Sequence, residues 1–192
     1  MEYHNVTTLF LLFLVTIILF SIAPHPTTAA DPNHHKTGIK GATLIPTACR
    51  YAVKKGFCNA MLEADPNSKD ADLPGLGLIA LRQAASNASD IAEYFKTLLN
   101  DSSLDPEVQD GASECLEMYL DAAEQLDDSA AALMSKGYKD VNAWVDVAIT
   151  DSKSCDVALV GHESVLGGKS QVFRWLCENA LAVNKVLVDE KN

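Results

Sequence analysis

Five cysteines are the residues of this 192-residue chain best able to do chemistry: Cys49, Cys58, Cys115, Cys155 and Cys177. Thiols bind metal, run redox reactions or close staples, and spacing separates the three. None of the five falls in a C-x-x-C, which argues against a zinc ribbon or a thioredoxin-type site. His34, His35 and His162 are not placed to complete a Cys/His site either. Staples remain. Five cysteines allow fifteen ways of making two bridges, so counting does not choose the pairing. The stretch "TACRYAVKKGFCNAML" (47–62) reads as a short helix, a turn at Lys55-Gly56 and the start of a second helix. Cys49 and Cys58 can meet across that turn. Cys115 and Cys155 each sit on a longer helical segment, with room between them for an antiparallel return. Cys177 is then the odd one, either a semi-buried free thiol or a bridge to another chain.

The remaining motifs each miss a required residue. "GHESV" is not a G-x-S-x-G elbow, because Ser164 comes one position late. "GGKS" (167–170) resembles the end of a phosphate loop, but Glu163 stands where the pattern needs glycine. His162-Glu163 lacks the second histidine of a zinc protease. "DPNSKDADLPGL" begins like a calcium loop, then puts Asp70 at the glycine position and Leu76 at the glutamate position. The G-x-G of "PGLGLIAL" has no strand before it and reads as a helix start. Asp127 and Asp128 are adjacent, so on a helix their side chains diverge by about 100° and do not form a general acid/base pair. The chain is read as a non-enzyme with no catalytic residue, no metal and no cofactor.

The elements that would carry these residues begin after a leader. "TLFLLFLVTIILF" (8–20) is almost continuously apolar, and small residues with prolines follow it to Ala30. This is the pattern of a signal peptide over residues 1–30, with Thr28 and Ala30 at −3 and −1, although "MEYHN" lacks the usual positive residue. The run is short for a membrane span, which needs about 20 residues. Cleavage after Ala30 leaves one domain's length of chain and, by removing Glu2, changes the net charge from −11 to −10. Such an acidic chain is a poor partner for nucleic acid or for a polyanion. A protein partner suits it better. A secreted chain also matures where disulfides persist.

Residues 31–42 read as a polar leader, and 43–192 as the folded domain. Leu81, Ala84, Ala88, Ile91, Phe95 and Leu98 recur at 3 and 4, the spacing of a buried helical stripe. Pro106-Glu107 opens the next helix, whose stripe is Cys115, Met118, Tyr119, Ala122, Leu126 and Leu133. It ends near Gly137, read as a C′ residue. A third helix is placed over about 141–159 with Asp140 as N-cap and Val141, Trp144, Ala148, Cys155 and Leu159 inward. Val172, Trp175, Leu176, Val183 and Leu187 mark the last. Short connections between four long amphipathic helices imply an all-α, antiparallel four-helix bundle with an N-terminal helical hairpin, stapled by disulfides. Asn87-Ala88-Ser89 and Asn100-Asp101-Ser102 are sequons, so Asn87 and Asn100 are candidate glycosylation sites in a secreted chain.

The leader, the Cys49/Cys58 spacing, "ADPNSKDADLPGLGLIAL", the Cys115-to-Cys155 interval and the tail "WLCENALAVNKVL" together resemble the plant invertase/pectin methylesterase inhibitor family. The resemblance spans about Pro46 to Val188. It looks closest to the branch of pollen proteins named "putative invertase inhibitors". It implies the bundle with its hairpin and the pairs Cys49–Cys58 and Cys115–Cys155, and with those pairs Cys177 is read as a free thiol. It also implies a monomeric protein of the apoplast that blocks the substrate cleft of pectin methylesterase or acid invertase in a 1:1 complex. Invertase-blocking members carry Pro-Lys-Phe before the helix of the fourth cysteine; here that place reads Tyr138-Lys139-Asp140, keeping only the lysine. Esterase-blocking members carry an acidic residue two positions after that cysteine; here Val157 stands there, with Asp156 one position early and Ser154 fitting. A polar face at Tyr138, Lys139, Thr150, Asp151 and Ser154 is the expected docking surface. The alternative is a diverged, non-inhibitory secreted bundle that binds another ligand or receptor.

Overall fold

The two longest helices start in the same way. Asp72 accepts a hydrogen bond from the Gly75 amide (2.8 Å) with Pro74 beside it, and Asp105 accepts from the Glu107 amide (2.9 Å) with Pro106 beside it. Aspartate satisfies an orphan amide, and proline occupies a first-turn position where its missing N–H costs nothing. The computed structural model describes residues 41–191, with side chains from Thr43 onward. The expected signal peptide and nearly all of the polar segment lie outside the described residues. The helices are α1 (Gly41–Ala48), α2 (Lys55–Ala64), α3 (Leu73–Leu98), α4 (Pro106–Met134), α5 (Tyr138–Ala158) and α6 (Lys169–Lys191), with short 3-10 turns at Pro66–Lys69 and Glu163–Val165.

Helices α3 to α6 pack in a closed ring, α3 on α4, α4 on α5, α5 on α6 and α6 on α3. Their short links make each run opposite to the one before. The expected all-α, disulfide-stapled four-helix bundle with an N-terminal hairpin is the fold observed. Its core is contributed in stripes: Leu81, Ala84, Ala88, Ile91 and Phe95 from α3, and Cys115, Tyr119, Ala122, Leu126 and Leu133 from α4. Burying a Leu, Ile or Phe side chain is worth roughly 1.5–3 kcal/mol, so these stripes supply the main driving force. A polar chain crosses the core. Arg174 donates to Ser152 Oγ (2.9 Å), which lies 3.2 Å from the buried Tyr119 hydroxyl, and that hydroxyl donates to Ser170 Oγ (3.0 Å). Burial pushes the Tyr119 hydroxyl above its ordinary pKa, so it stays a neutral donor.

The hairpin α1–α2 lies against α3 and α6. The Cys49–Cys58 bridge closes it, with Cα atoms 5.8 Å apart. Phe57 meets Trp175 of α6 edge to face at 5.6 Å, and the Lys54 ammonium sits 4.3 Å from the same indole. Arg50 and Lys185 approach the Tyr51 ring at 4.7 and 4.6 Å. These aromatic contacts dock a segment too short to be a stable helix alone.

Four local expectations change. The turn of the hairpin falls at residues 49–54, and Gly56 lies inside α2. Helix α5 begins at Tyr138 after an N-cap at Gly137, so Asp140 sits in the first turn and caps nothing with its side chain. Lys136, not Gly137, takes the left-handed conformation (φ 61°) that ends α4. The Lys136 amide donates to the Leu133 carbonyl and the Gly137 amide to the Ala132 carbonyl, which together close a Schellman motif. Trp144 and Val172 face outward, 40% and 38% exposed, while Val145 and Phe173 beside them are fully buried. One residue on a helix turns the side chain by about 100°, so a shift of one position exchanges the inner residue for the outer one.

Candidate functional site

Helix α5 is held rigidly from within. Its buried stripe is Val141, Val145, Ala148, Ser152, Cys155 and the following Leu159, at alternating steps of 4 and 3. The Cys115–Cys155 bridge joins it to α4 with Cα atoms 4.7 Å apart. On the other flank Arg174 of α6 donates to Asp156 (2.7 Å), and Asn184 Nδ2 donates to the Tyr138 carbonyl (2.8 Å) and to Asn142 Oδ1 (2.9 Å). The opposite face of α5 is therefore presented to solvent on a fixed rod.

Of the five residues expected to dock on a partner, that outer face brings together three. Lys139 and Thr150 are eleven positions apart, which on a helix places them within about 20° of each other, and Ser154 about 40° further round. Lys139 and Thr150 are exposed and Ser154 is half-buried. Asp146, Val147 and Val157 share the strip, with Val157 70% exposed. The Thr150 hydroxyl donates to the Asp146 carbonyl one turn back (2.9 Å). Tyr138 turns to the end of α6, where the Lys191 ammonium lies 5.6 Å from its ring. Asp151 leans toward α4. Burial raises its carboxyl pKa, a Gln125 hydrogen bond lowers it in part, and the Asp121 charge raises it again. Its Oδ2 and Gln125 Oε1 are both buried without a hydrogen-bond partner.

The remaining sequence candidates fall elsewhere. Cys177 is fully buried and unbridged, and burial drives its thiol pKa far up, so it is neither reactive nor able to reach another chain. Asn87 is half-buried in the middle of α3, whereas Asn100 is exposed in the turn after it. Asp105, Glu107 and His162 bring three possible ligand atoms within 4.8 Å of one another. Asp105 Oδ1 is committed to capping α4, and both carboxylates complement the positive start of that helix. His162 Nε2 lies 3.5 Å from Glu107 Oε2, so a helix cap and a histidine–carboxylate contact account for the group.

One feature was missed in the sequence although its signal was there. Glu107, Asp110, Glu114, Glu117, Asp121, Glu124 and Asp128 repeat at alternating steps of 3 and 4 along α4, and all seven are exposed. Among the described residues none of the seven pairs with a lysine or arginine, and Glu107 alone has a histidine, His162, beside it. Helix α4 contains no lysine or arginine to offset this row. Like charges at these spacings oppose the helix by about 0.2–0.5 kcal/mol per pair, so the row weakens the free protein.

Comparison with known proteins gives the site a setting. Residues 43–183 match the family model described as plant invertase/pectin methylesterase inhibitor. A Platanus acerifolia protein named "Putative invertase inhibitor" is 34% identical over 76% of this chain and 86% of its own. A "Pectinesterase inhibitor" from Actinidia deliciosa is 25% identical over 94% of this chain and 93% of its own. The crystal structure of a mutant form of a pectin methylesterase inhibitor from Arabidopsis shares the fold, with a TM-score of 0.63 at 20% identity over 74% of this chain and 95% of that one.

Proposed function

The chain belongs to the plant invertase/pectin methylesterase inhibitor family, and on that premise we propose that it is a secreted inhibitor of a plant cell-wall carbohydrate-active enzyme. Its target is pectin methylesterase or acid invertase. It acts as a monomer, in a 1:1 complex, by seating the outer face of α5 over the target's substrate cleft. No cofactor takes part. Residues 1–30 direct export to the apoplast and are removed, and 43–192 form the inhibitory domain.

The observation that carries this reading is the outer strip of α5. Lys139, Asp146, Thr150 and Ser154 offer charge and hydrogen bonds along one side of a helix, and Val147 and Val157 offer apolar contact beside them. A convex helical ridge fits a cleft. Because the disulfide and the α6 hydrogen bonds already hold the ridge, little ordering entropy is lost on docking. The acidic row on the neighbouring α4 favours a target whose cleft has a cationic rim, and it would speed encounter at low salt.

The test is a titration of the oxidised protein against plant pectin methylesterase and, separately, acid invertase, at about pH 5 and near neutrality. Saturable loss of one activity near equimolarity, with a complex that survives gel filtration, supports the reading and names the target. Indifference of several isoforms of both enzymes sinks it in favour of the diverged, non-inhibitory alternative. The replacements at Tyr138, Asp140 and Val157 would then be the first suspects.

A further inference from the structure

The two sequons lie in opposite structural settings, and we propose that Asn100 is the N-glycosylated residue of this protein while Asn87 stays unmodified. This rests on the reading that the chain is exported through its leader. Asn100 is exposed in the turn between α3 and α4, and Ser102 beside it is exposed too. The intervening Asp101 does not compete for that hydroxyl, because its carboxylate accepts from the Ser103 amide (2.9 Å) and the Ser103 hydroxyl (2.7 Å). Pro106 keeps α4 from growing backward into the sequon, so the segment is non-helical before and after folding.

Asn87 is the reverse case. It sits in the interior of the 26-residue α3, and its Oδ1 is buried without a hydrogen-bond partner. The groove around it is lined by Met61 of the hairpin, Gln83 and Leu176 of α6. The Gln83 amide donates to the Met61 carbonyl there (2.7 Å), tying the hairpin to α3 beside the asparagine. Positions i and i+2 of a helix do not face each other, so Ser89 cannot approach the Asn87 amide. Its hydroxyl is instead bonded to the Ala85 carbonyl (3.0 Å).

Timing decides whether this matters during synthesis. Helices relax in about a microsecond, whereas a ribosome adds on the order of 5–20 residues per second. A helix of this length exceeds the roughly 12–15 residues below which isolated helices are marginal. The segment around Asn87 is thus long enough, and folds fast enough, for helix to compete with the extended sequon the transferase needs. A chain modified there would carry a sugar where the hairpin docks.

The reaction is a group transfer from an oligosaccharide held on a polyprenyl pyrophosphate. Asn100 Nδ2 bonds to the anomeric carbon and gives up one proton. The bond from that carbon to the pyrophosphate oxygen breaks, and the pyrophosphate leaves with the electron pair. The glycan emerges where α5 ends, since His162, just beyond that helix, lies 3.5 Å from Glu107 just beyond the turn. Lys139 is at the other end of α5, about 30 Å away at 1.5 Å per residue, and stays uncovered.

The test is expression of the full chain, with its own leader, in a yeast or mammalian host. The protein from the medium is deglycosylated by an amidase in heavy-oxygen water and its peptides are mapped by mass spectrometry. The label is expected at residue 100 only. The intact glycoform should be lost in both Asn100→Gln and Ser102→Ala and kept in Ser89→Ala. A label at residue 87, or a secreted and leader-cleaved protein with no label, overturns the proposal. Protein retained in the cell with its leader uncut overturns the export reading and the proposal with it.

Discussion

Gly111 of α4 lies so close to Ala158 of α5 that an added Cβ would stand 2.5 Å from the Ala158 carbonyl oxygen and 2.8 Å from Leu159 Cδ2. A backbone carbonyl cannot swing aside, and the Cys115–Cys155 bridge one turn away prevents the helices from separating. We expect Gly111→Ala to lower stability by about 1–3 kcal/mol, the usual cost of overpacking, seen as a lower urea midpoint. Gly56 in α2 is the control. Nothing lies within 4 Å of its Cβ position, so Gly56→Ala should stabilise by about 0.4–1 kcal/mol.

Asp151 should make the protein less stable as pH rises. Burial holds its folded pKa above the ordinary carboxylate value, so the folded state favours the neutral form. Stability is then lost from about pH 3.9, the unfolded value, up through the raised folded one. Asp151→Asn should raise the Tm near neutrality and leave it nearly unchanged at pH 3. A Tm difference that does not grow with pH would refute this.

Asp189 works with the opposite sign. The Tyr51 hydroxyl donates to it at 2.5 Å, and Lys185 and Arg50 lie at 3.7 and 3.2 Å. The hydrogen bond from Tyr51, and then the two cations, hold its pKa below the usual carboxylate range. Docking of the hairpin is thus fully supported above the unfolded value of about 3.9 and weakens as pH falls through the lower folded value. Hydrogen exchange in Gly41–Ala64 should quicken in that acid window. Tyr51→Phe should produce the same local quickening at pH 6, with α4 and α5 unaffected.

The two bridges should differ in weight. They close intervals of 9 and 40 residues, worth about 2.7 and 4 kcal/mol in the chain-entropy model. Cys115→Ala/Cys155→Ala should therefore cost more in denaturant midpoint than Cys49→Ala/Cys58→Ala. Cys177 should not react with a thiol reagent in the native oxidised protein and should react stoichiometrically once unfolded. Fast native labelling would contradict its burial.

On the outer strip of α5, Thr150→Arg and Lys139→Glu should raise the inhibition constant at least about tenfold without moving the Tm. Lys55→Glu, on the exposed side of α2, should change neither. Equal effects from all three would place the contact elsewhere.

Periodicity alone was enough for the bundle. Leu81 to Phe95 and Cys115 to Leu133 repeat at 3 and 4, and helix-period burial has few solutions besides helix on helix. The Pro-Glu start of α4 was legible too, because a first-turn proline is written in residue type, whereas the cysteine pairing came from the family resemblance and not from spacing. The row from Glu107 to Asp128 was equally legible, and needed only the same count applied to acids.

What the sequence could not decide is which of two neighbouring residues points inward. Trp144 against Val145 and Val172 against Phe173 differ by one step of about 100°, and only the packing of all four helices settles the rotation of each. The same holds for the outer strip of α5. Tyr138 and Asp151 look as polar in sequence as Lys139 and Thr150. Asn184 and Lys191 draw Tyr138 to α6, and Asp151 is half-buried beside Gln125 and Asp121 of α4. Those partners lie tens of residues away along the chain. Local pattern determined the helices and their buried stripes, and long-range contacts determined which polar residues were left facing solvent.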